Sequence, residues 1–204
     1  MPFSLPDPLP WESREIGLAF LMWSTMMAGM MLPSVYPWIR ALARKTDASP
    51  GWPGFLGGYF VAWTGFSAGA TGLQWGLSHL SGDLDSQRTA AASVLMVAGL
   101  YQWTPWKQRC LVHCRSPIGY FLTSWKDGRA RFFRMGLSHG LFCVGCCWAL
   151  MLVSLVAGVM NLWWMALMSV FVFVDHTRAI GRWLTRAAGL ALVVWAGWLI
   201  RAVA

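Results

Sequence analysis

Four residues that can bind a metal lie close together in one apolar stretch of the chain. His139, Cys143, Cys146 and Cys147 fall within nine positions of the segment 135–160. A helix with 3.6 residues per turn places them along one broad face over roughly 12 Å. Because thiolate and imidazole are donors for soft metals, the pattern predicts a metal site, with Cu(I) as the first candidate and zinc as the second.

Two further groups of soft donors accompany this stretch. One group consists of Cys110, His113 and Cys114, which lie within one or two helical turns. This group could form a relay through which the metal enters or leaves. The other group ends a methionine-rich run before Pro33 and could supply thioether ligands, and its members are Met26, Met30 and Met31. We therefore expect a first shell of His139, Cys143 and one or both of Cys146 and Cys147, with these methionines as further soft partners.

Each group also has an interpretation without a metal. Methionine commonly fills gaps in apolar cores, and cysteine in an apolar helix often behaves as a small packing residue. The vicinal pair Cys146 and Cys147 could instead perform thiol chemistry. The neighbours Asp175 and His176 could bind a metal or shuttle protons, but solvation at a membrane interface is the commoner role for such a pair.

The composition indicates an integral membrane protein. Of the 204 residues, 57% are hydrophobic and only 12% are charged, whereas soluble domains are about a quarter charged. The chain contains six apolar stretches, about residues 16–39, 55–80, 89–105, 135–160, 162–178 and 185–204. We therefore predict an all-α bundle of about six transmembrane helices that forms a single domain over residues 1–204, in contact with the lipid bilayer.

The distribution of charge predicts an orientation. Basic residues concentrate in the first, third and fifth connections, of which the third is the richest. By the positive-inside rule these connections face the cytoplasm, so both termini face the periplasmic side. The net charge of +8 is then explained by topology rather than by nucleic-acid binding. All five cysteines fall on the cytoplasmic side or in the half of a helix nearest to it. Cytoplasmic thiols stay reduced, which argues against a disulfide framework.

Three long motifs resemble the hallmarks of one bacterial family. They are the segments 22–33 (MWSTMMAGMMLP), 99–117 (GLYQWTPWKQRCLVHCRSP) and 136–151 (GLSHGLFCVGCCWALM). The family is described as predicted metal-binding integral membrane proteins and is a domain-of-unknown-function group. The resemblance implies a multi-pass membrane protein with a suspected metal site and no established reaction, and we expect it in the bacterial inner membrane. One position departs from it: Asp175-His176 stands where the family typically has a Glu-Lys pair, which puts an ion-pair role there in doubt.

These observations favour copper handling, in which Cu(I) bound in the cytoplasmic half passes to a membrane or periplasmic metalloprotein acceptor. The alternative is a membrane subunit of an oxidoreductase or monooxygenase complex, in which the metal would be structural or catalytic. A thiol-redox role for Cys146 and Cys147 is a third interpretation. The sequence contains no P-loop, so we do not expect this chain alone to pump metal. Whether it is an enzyme stays open, because no self-contained catalytic motif is present.

Overall fold

The computed structural model describes residues 12–43, 51–80, 84–115, 130–158, 161–177 and 181–201. Within these ranges the chain forms seven α-helices and no strands, which confirms the predicted all-α fold. The helices are α1 (Ser13–Ala43), α2 (Trp52–Leu80), α3 (Leu84–Tyr101), α4 (Pro105–Arg115), α5 (Arg131–Ala157), α6 (Leu162–Thr177) and α7 (Gly181–Arg201).

Six of the helices overlap the predicted apolar stretches within the described residues, and α4 lies in the basic third connection, where the sequence predicts no span. α3 ends at Tyr101, four residues before Pro105, and Pro105 starts α4, because proline suits the first position of a helix. In the described part of the chain, three segments are long and apolar enough to cross a membrane, namely Ser13–Ala43, Arg131–Ala157 and Trp183–Arg201. α2 and α3 are not among these segments, and the apolar segment of α6, Leu162–His176, is shorter, so six spans stay a prediction.

α2 and α5 form the most extensive helix pair, and glycine makes this contact possible. A methyl group at Gly58 would lie 2.0 Å from the backbone oxygen of Phe133, and one at Gly136 would lie 1.9 Å from that of Phe55. Both distances are far shorter than any real contact, so the two backbones touch directly at these points. Small residues allow this close approach between membrane helices in general.

α5 is central to the bundle because its two faces belong to two different apolar cores. One core contains its three cysteines and is built with α1, α2, α4 and α6. The other core contains Ala149, Leu150, Val153 and Val156 and is built with α3 and α7. The metal-ligand candidates of α5 therefore lie on the side where α4 and α6 also arrive.

The glycine contact leads to a first prediction. Gly58→Ala should destabilise the protein by about 1–3 kcal/mol or more, because the added methyl group forces α2 away from α5. The free energy of unfolding in detergent, measured by denaturant titration, checks this. Gly65→Ala is the matched control on the same helix, since nothing lies within 4 Å of the added methyl group. Equal stability of the two variants would contradict the direct backbone contact.

Candidate metal centre

Five soft donors converge where α4, α5 and α6 meet. They are Cys114 of α4, Cys143, Cys146 and Cys147 of α5, and His176 of α6. They form two overlapping triads that share Cys146, and within each triad the donor atoms lie within 4.8 Å of one another. Since metal–sulfur bonds are about 2.3 Å long, donors around one ion lie on the order of 4 Å apart. Each triad can therefore close around an ion with small movements.

The imidazole of His176 is oriented as a metal ligand. Its Nδ1 lies 2.7 Å from the carbonyl oxygen of Val172, an acceptor that fixes the proton on Nδ1. The lone pair of Nε2 then points to the thiols, with Nε2 at 3.1 Å from Cys146 Sγ and 4.0 Å from Cys143 Sγ. Metal-binding histidines are commonly held by such a hydrogen bond from the other ring nitrogen. Packing of small cysteines alone does not account for this orientation.

The five donors are shielded from water. Their exposed fractions lie between 1% and 8%, and all four cysteines among them are free thiols. The thiols of Cys146 and Cys147 both donate to the carbonyl oxygen of Cys143 at 3.0 Å, as thiols on one turn of a helix can. The indole N–H of Trp38 donates to the carbonyl oxygen of Cys114 at 3.2 Å and ties α1 to the ligand-bearing end of α4.

His139, a predicted first-shell ligand, lies one turn before Cys143 and outside both triads. Its ring is packed in an aromatic box, with its centroid 3.8 Å from that of Trp38, 5.7 Å from that of Phe55 and 5.6 Å from that of Tyr59. Among the described residues, its Nδ1 has no hydrogen-bond partner. The box touches the cluster through Tyr59, whose hydroxyl oxygen lies 3.4 Å from Cys143 Sγ.

Cys110 and His113 also lie outside the triads, on the side of α4 that packs against α5. The sulfur of Cys110 packs against α5 at Gly145, where an added methyl group would lie 3.0 Å away. The ring of His113 stacks on Phe142, with the centroids 3.8 Å apart. Burial lowers the pKa of His113 and raises the pKa of Cys110, so both groups are neutral at pH 7. Cys110 also lines a groove of about 420 Å³ beside Arg134.

The three predicted methionine ligands lie on the α1 side of the core. Met26, Met30 and Met31 are buried in the same apolar cluster as Cys143, Cys146 and Cys147. Ser169 of α6 donates to the carbonyl oxygen of Met30 at 3.2 Å, so α1 and α6 are joined at this level. The three thioethers therefore lie in the same apolar core as the thiols, on its α1 side.

Asp175 is the centre of a buried ionic network that the sequence did not reveal. Its carboxylate lies 3.3 Å from Lys107 Nζ and 3.4 Å from the Arg115 guanidinium, and it accepts a hydrogen bond of 2.8 Å from Thr185. Arg115 donates two further bonds, of 2.9 and 2.7 Å, to the backbone oxygen of Asp175. Lys107 is also bonded to the side-chain oxygen of Gln102.

The network corrects two expectations. Solvation of Asp175 and His176 at an interface is wrong, because the two residues are only 3% and 8% exposed. The doubt about an ion pair at this position is also removed, since Lys107 and Arg115 supply the cations from α4. Both cations belong to the basic third connection, and no pattern in one sequence connects them with a carboxylate sixty or more positions away.

A comparison with protein-family models assigns the chain. The model of the copper chaperone family PpoB2 matches residues 20–199, which include all five donors of the cluster. The chain belongs to the PpoB2 copper chaperone family. No curated protein and no solved structure matches the chain. The match supports the metal-related part of the resemblance found in the three motifs.

In this PpoB2 family member, the ionic network fixes two of the donors. Arg115 directly follows Cys114, and Asp175 directly precedes His176. The contacts between Arg115 and Asp175 therefore join α4 to α6 beside the atoms that face Cys146. We name this set of contacts, formed by Lys107, Arg115 and Asp175, the ionic clamp.

The clamp leads to a second prediction. Lys107→Met should lower the free energy of unfolding by about 3 kcal/mol, because it leaves a buried carboxylate with one cation fewer. Denaturant titration in detergent measures the loss. Arg109→Met is the matched control, since Arg109 is an exposed cation of the same helix and should cost little. Similar losses for both variants would show that the buried pair contributes no more than a surface charge.

Proposed function

We propose that this chain binds Cu(I) at the junction of α4, α5 and α6 and delivers it to a membrane or periplasmic metalloprotein acceptor. The observation that carries the proposal is the convergence of four thiols and one oriented imidazole from three helices in a site closed to water. Membership of a copper chaperone family supports both the metal and the role.

The chemistry of the donors favours Cu(I). Thiolate sulfur is a soft ligand that favours Cu(I), and four of the five donors are thiols. Zinc also accepts mixed sulfur and nitrogen sets and is the second candidate. Binding requires the thiols to lose their protons, so each metal ion that enters the site displaces protons to the solvent. The burial of the cluster protects bound Cu(I) from water and from other thiols.

The proposed setting is the bacterial inner membrane, with α1, α2, α3, α5, α6 and α7 as six spans and α4 at the cytoplasmic boundary. Large apolar side chains on the outer faces of α1 and α7 support this setting, since Leu18, Leu21, Val194 and Trp198 are each more than half exposed. Such surfaces are unfavourable in water but match lipid. Trp106 of α4 is 68% exposed, which suits a membrane interface.

The proposed route of the metal begins at Cys110 and His113. The groove beside Cys110 gives this thiol access from outside, and the same side chain packs on α5 at Gly145, next to Cys146. A thiol and a neutral imidazole at the mouth of the cluster could hand Cu(I) inward one donor at a time. In this proposal, the thioethers of Met26, Met30 and Met31 line the α1 side of the site with further soft donors.

The test is a Cu(I) titration of the detergent-purified protein under anaerobic conditions with a competing chelator. Cys146→Ser removes the donor that both triads share, so the affinity for Cu(I) should fall by at least about 100-fold. Ser154→Ala is the matched control, because Ser154 is buried on the same helix about two turns beyond Cys147 and should leave binding unchanged. Zinc added in excess should not displace Cu(I) from the native protein.

Two outcomes would contradict the proposal. Weak binding that is the same in the native protein and in Cys146→Ser would reduce the cluster to packing and favour the role of a structural subunit in an oxidoreductase complex. Displacement of Cu(I) by zinc would assign the site to zinc instead.

The proposed topology yields its own prediction. Alkaline phosphatase fused after Ala204 should be active, because the enzyme needs the oxidising periplasm for its disulfides. The same enzyme fused after Arg115 should be inactive, whereas green fluorescent protein fused there should fluoresce. The reverse pattern would overturn the orientation, and equal activity at both points would overturn the odd number of spans between them.

A further inference from the structure

Cys146 has a special position in the cluster because it belongs to both triads. One triad consists of Cys114, Cys146 and His176, and the other consists of Cys143, Cys146 and Cys147. The outer members of the first triad come from α4 and α6, whereas the second triad lies on α5 alone. The triads are therefore fused at one sulfur and supplied by different helices.

A single ion cannot use all five donors of this set. Soft ions of this kind bind at most four protein ligands, as in structural zinc sites. Five donors would leave at least one thiol or imidazole buried without a partner, in a core where the exposed fraction of each is 8% or less. Two three-coordinate ions that share Cys146 use all five donors.

We propose that the cluster binds two Cu(I) ions at once, bridged by the sulfur of Cys146. Cys114, Cys146 and His176 hold one ion, and Cys143, Cys146 and Cys147 hold the other. This inference rests on the proposed function and specifies its cargo as two ions per chain. Two ions that each lie about 2.3 Å from one sulfur are on the order of 3 Å apart, which fits within the spacing of the donors.

The balance of charge favours the second ion. A first Cu(I) bound by the three thiolates of α5 displaces three protons and leaves a net charge of −2. The second Cu(I) displaces the remaining proton, that of Cys114, so the buried charge does not change. The ionic clamp lies beside the cluster with two cations and one carboxylate, and its net positive charge stabilises an anionic cluster in a medium of low dielectric.

Stoichiometry tests the proposal directly. The native protein, titrated anaerobically with Cu(I) and analysed for metal after desalting, should retain two ions per chain. Cys147→Ser disrupts one triad and His176→Ala disrupts the other, so each variant should retain one. Ser154→Ala should retain two. X-ray absorption of the loaded native protein should show copper–copper scattering, and this scattering should be lost in both Cys147→Ser and His176→Ala.

The possible results separate this proposal from the proposed function. One ion in the native protein, or two ions without copper–copper scattering, would overturn the bridged pair and leave a Cu(I) site intact. No retained copper would overturn both. Two ions in Cys147→Ser would place the second ion elsewhere and also overturn the bridged pair. If one variant fails to fold, the scattering of the native protein still decides the question.

Discussion

The pairing of the buried Asp175 carboxylate with its cations is the interaction on which the rest of the site depends. A charge removed from water is tolerated only with cations and hydrogen bonds around it, and here they come from Lys107, Arg115 and Thr185. To supply them, α4 has to fold back against α5 and α6, and α7 has to approach α6. The same arrangement places Cys114, the neighbour of Arg115, and His176, the neighbour of Asp175, against Cys146. The contacts that neutralise Asp175 therefore also hold the donors Cys114 and His176 beside Cys146.

A second constraint is the contact of backbone with backbone between α2 and α5. Without side chains at Gly58 and Gly136, α5 lies deep enough to be enclosed on both faces. The contact also brings Tyr59 to Cys143 and encloses His139 among aromatic rings. α5 therefore acts as the fixed part of the site, and α4 and α6 add their donors to it.

Periodicity along one helix could be predicted from the sequence, and contacts between helices could not. The cysteines of α5 lie together because spacings of three and four residues repeat the turn of a helix. The all-α fold followed from apolar stretches. The sequence predicts Cys114 only as a relay ligand, and for His176 it leaves metal binding open beside solvation as the commoner role, because their positions depend on how α4 and α6 pack. His139 shares the face of the cysteines, yet rings from α1 and α2 surround it.

The shielding of the five donors has a kinetic consequence. Under the proposed function, an acceptor that collides with the closed protein cannot touch a bound ion, since none of the five donors is more than 8% exposed. Transfer would then require one of the three donor-bearing helices to move, and the shortest of them is α4, with eleven residues, which the ionic clamp joins to α6. The frequency of such an opening would limit the rate of transfer. Once that limit is reached, a higher concentration of acceptor would not accelerate the transfer.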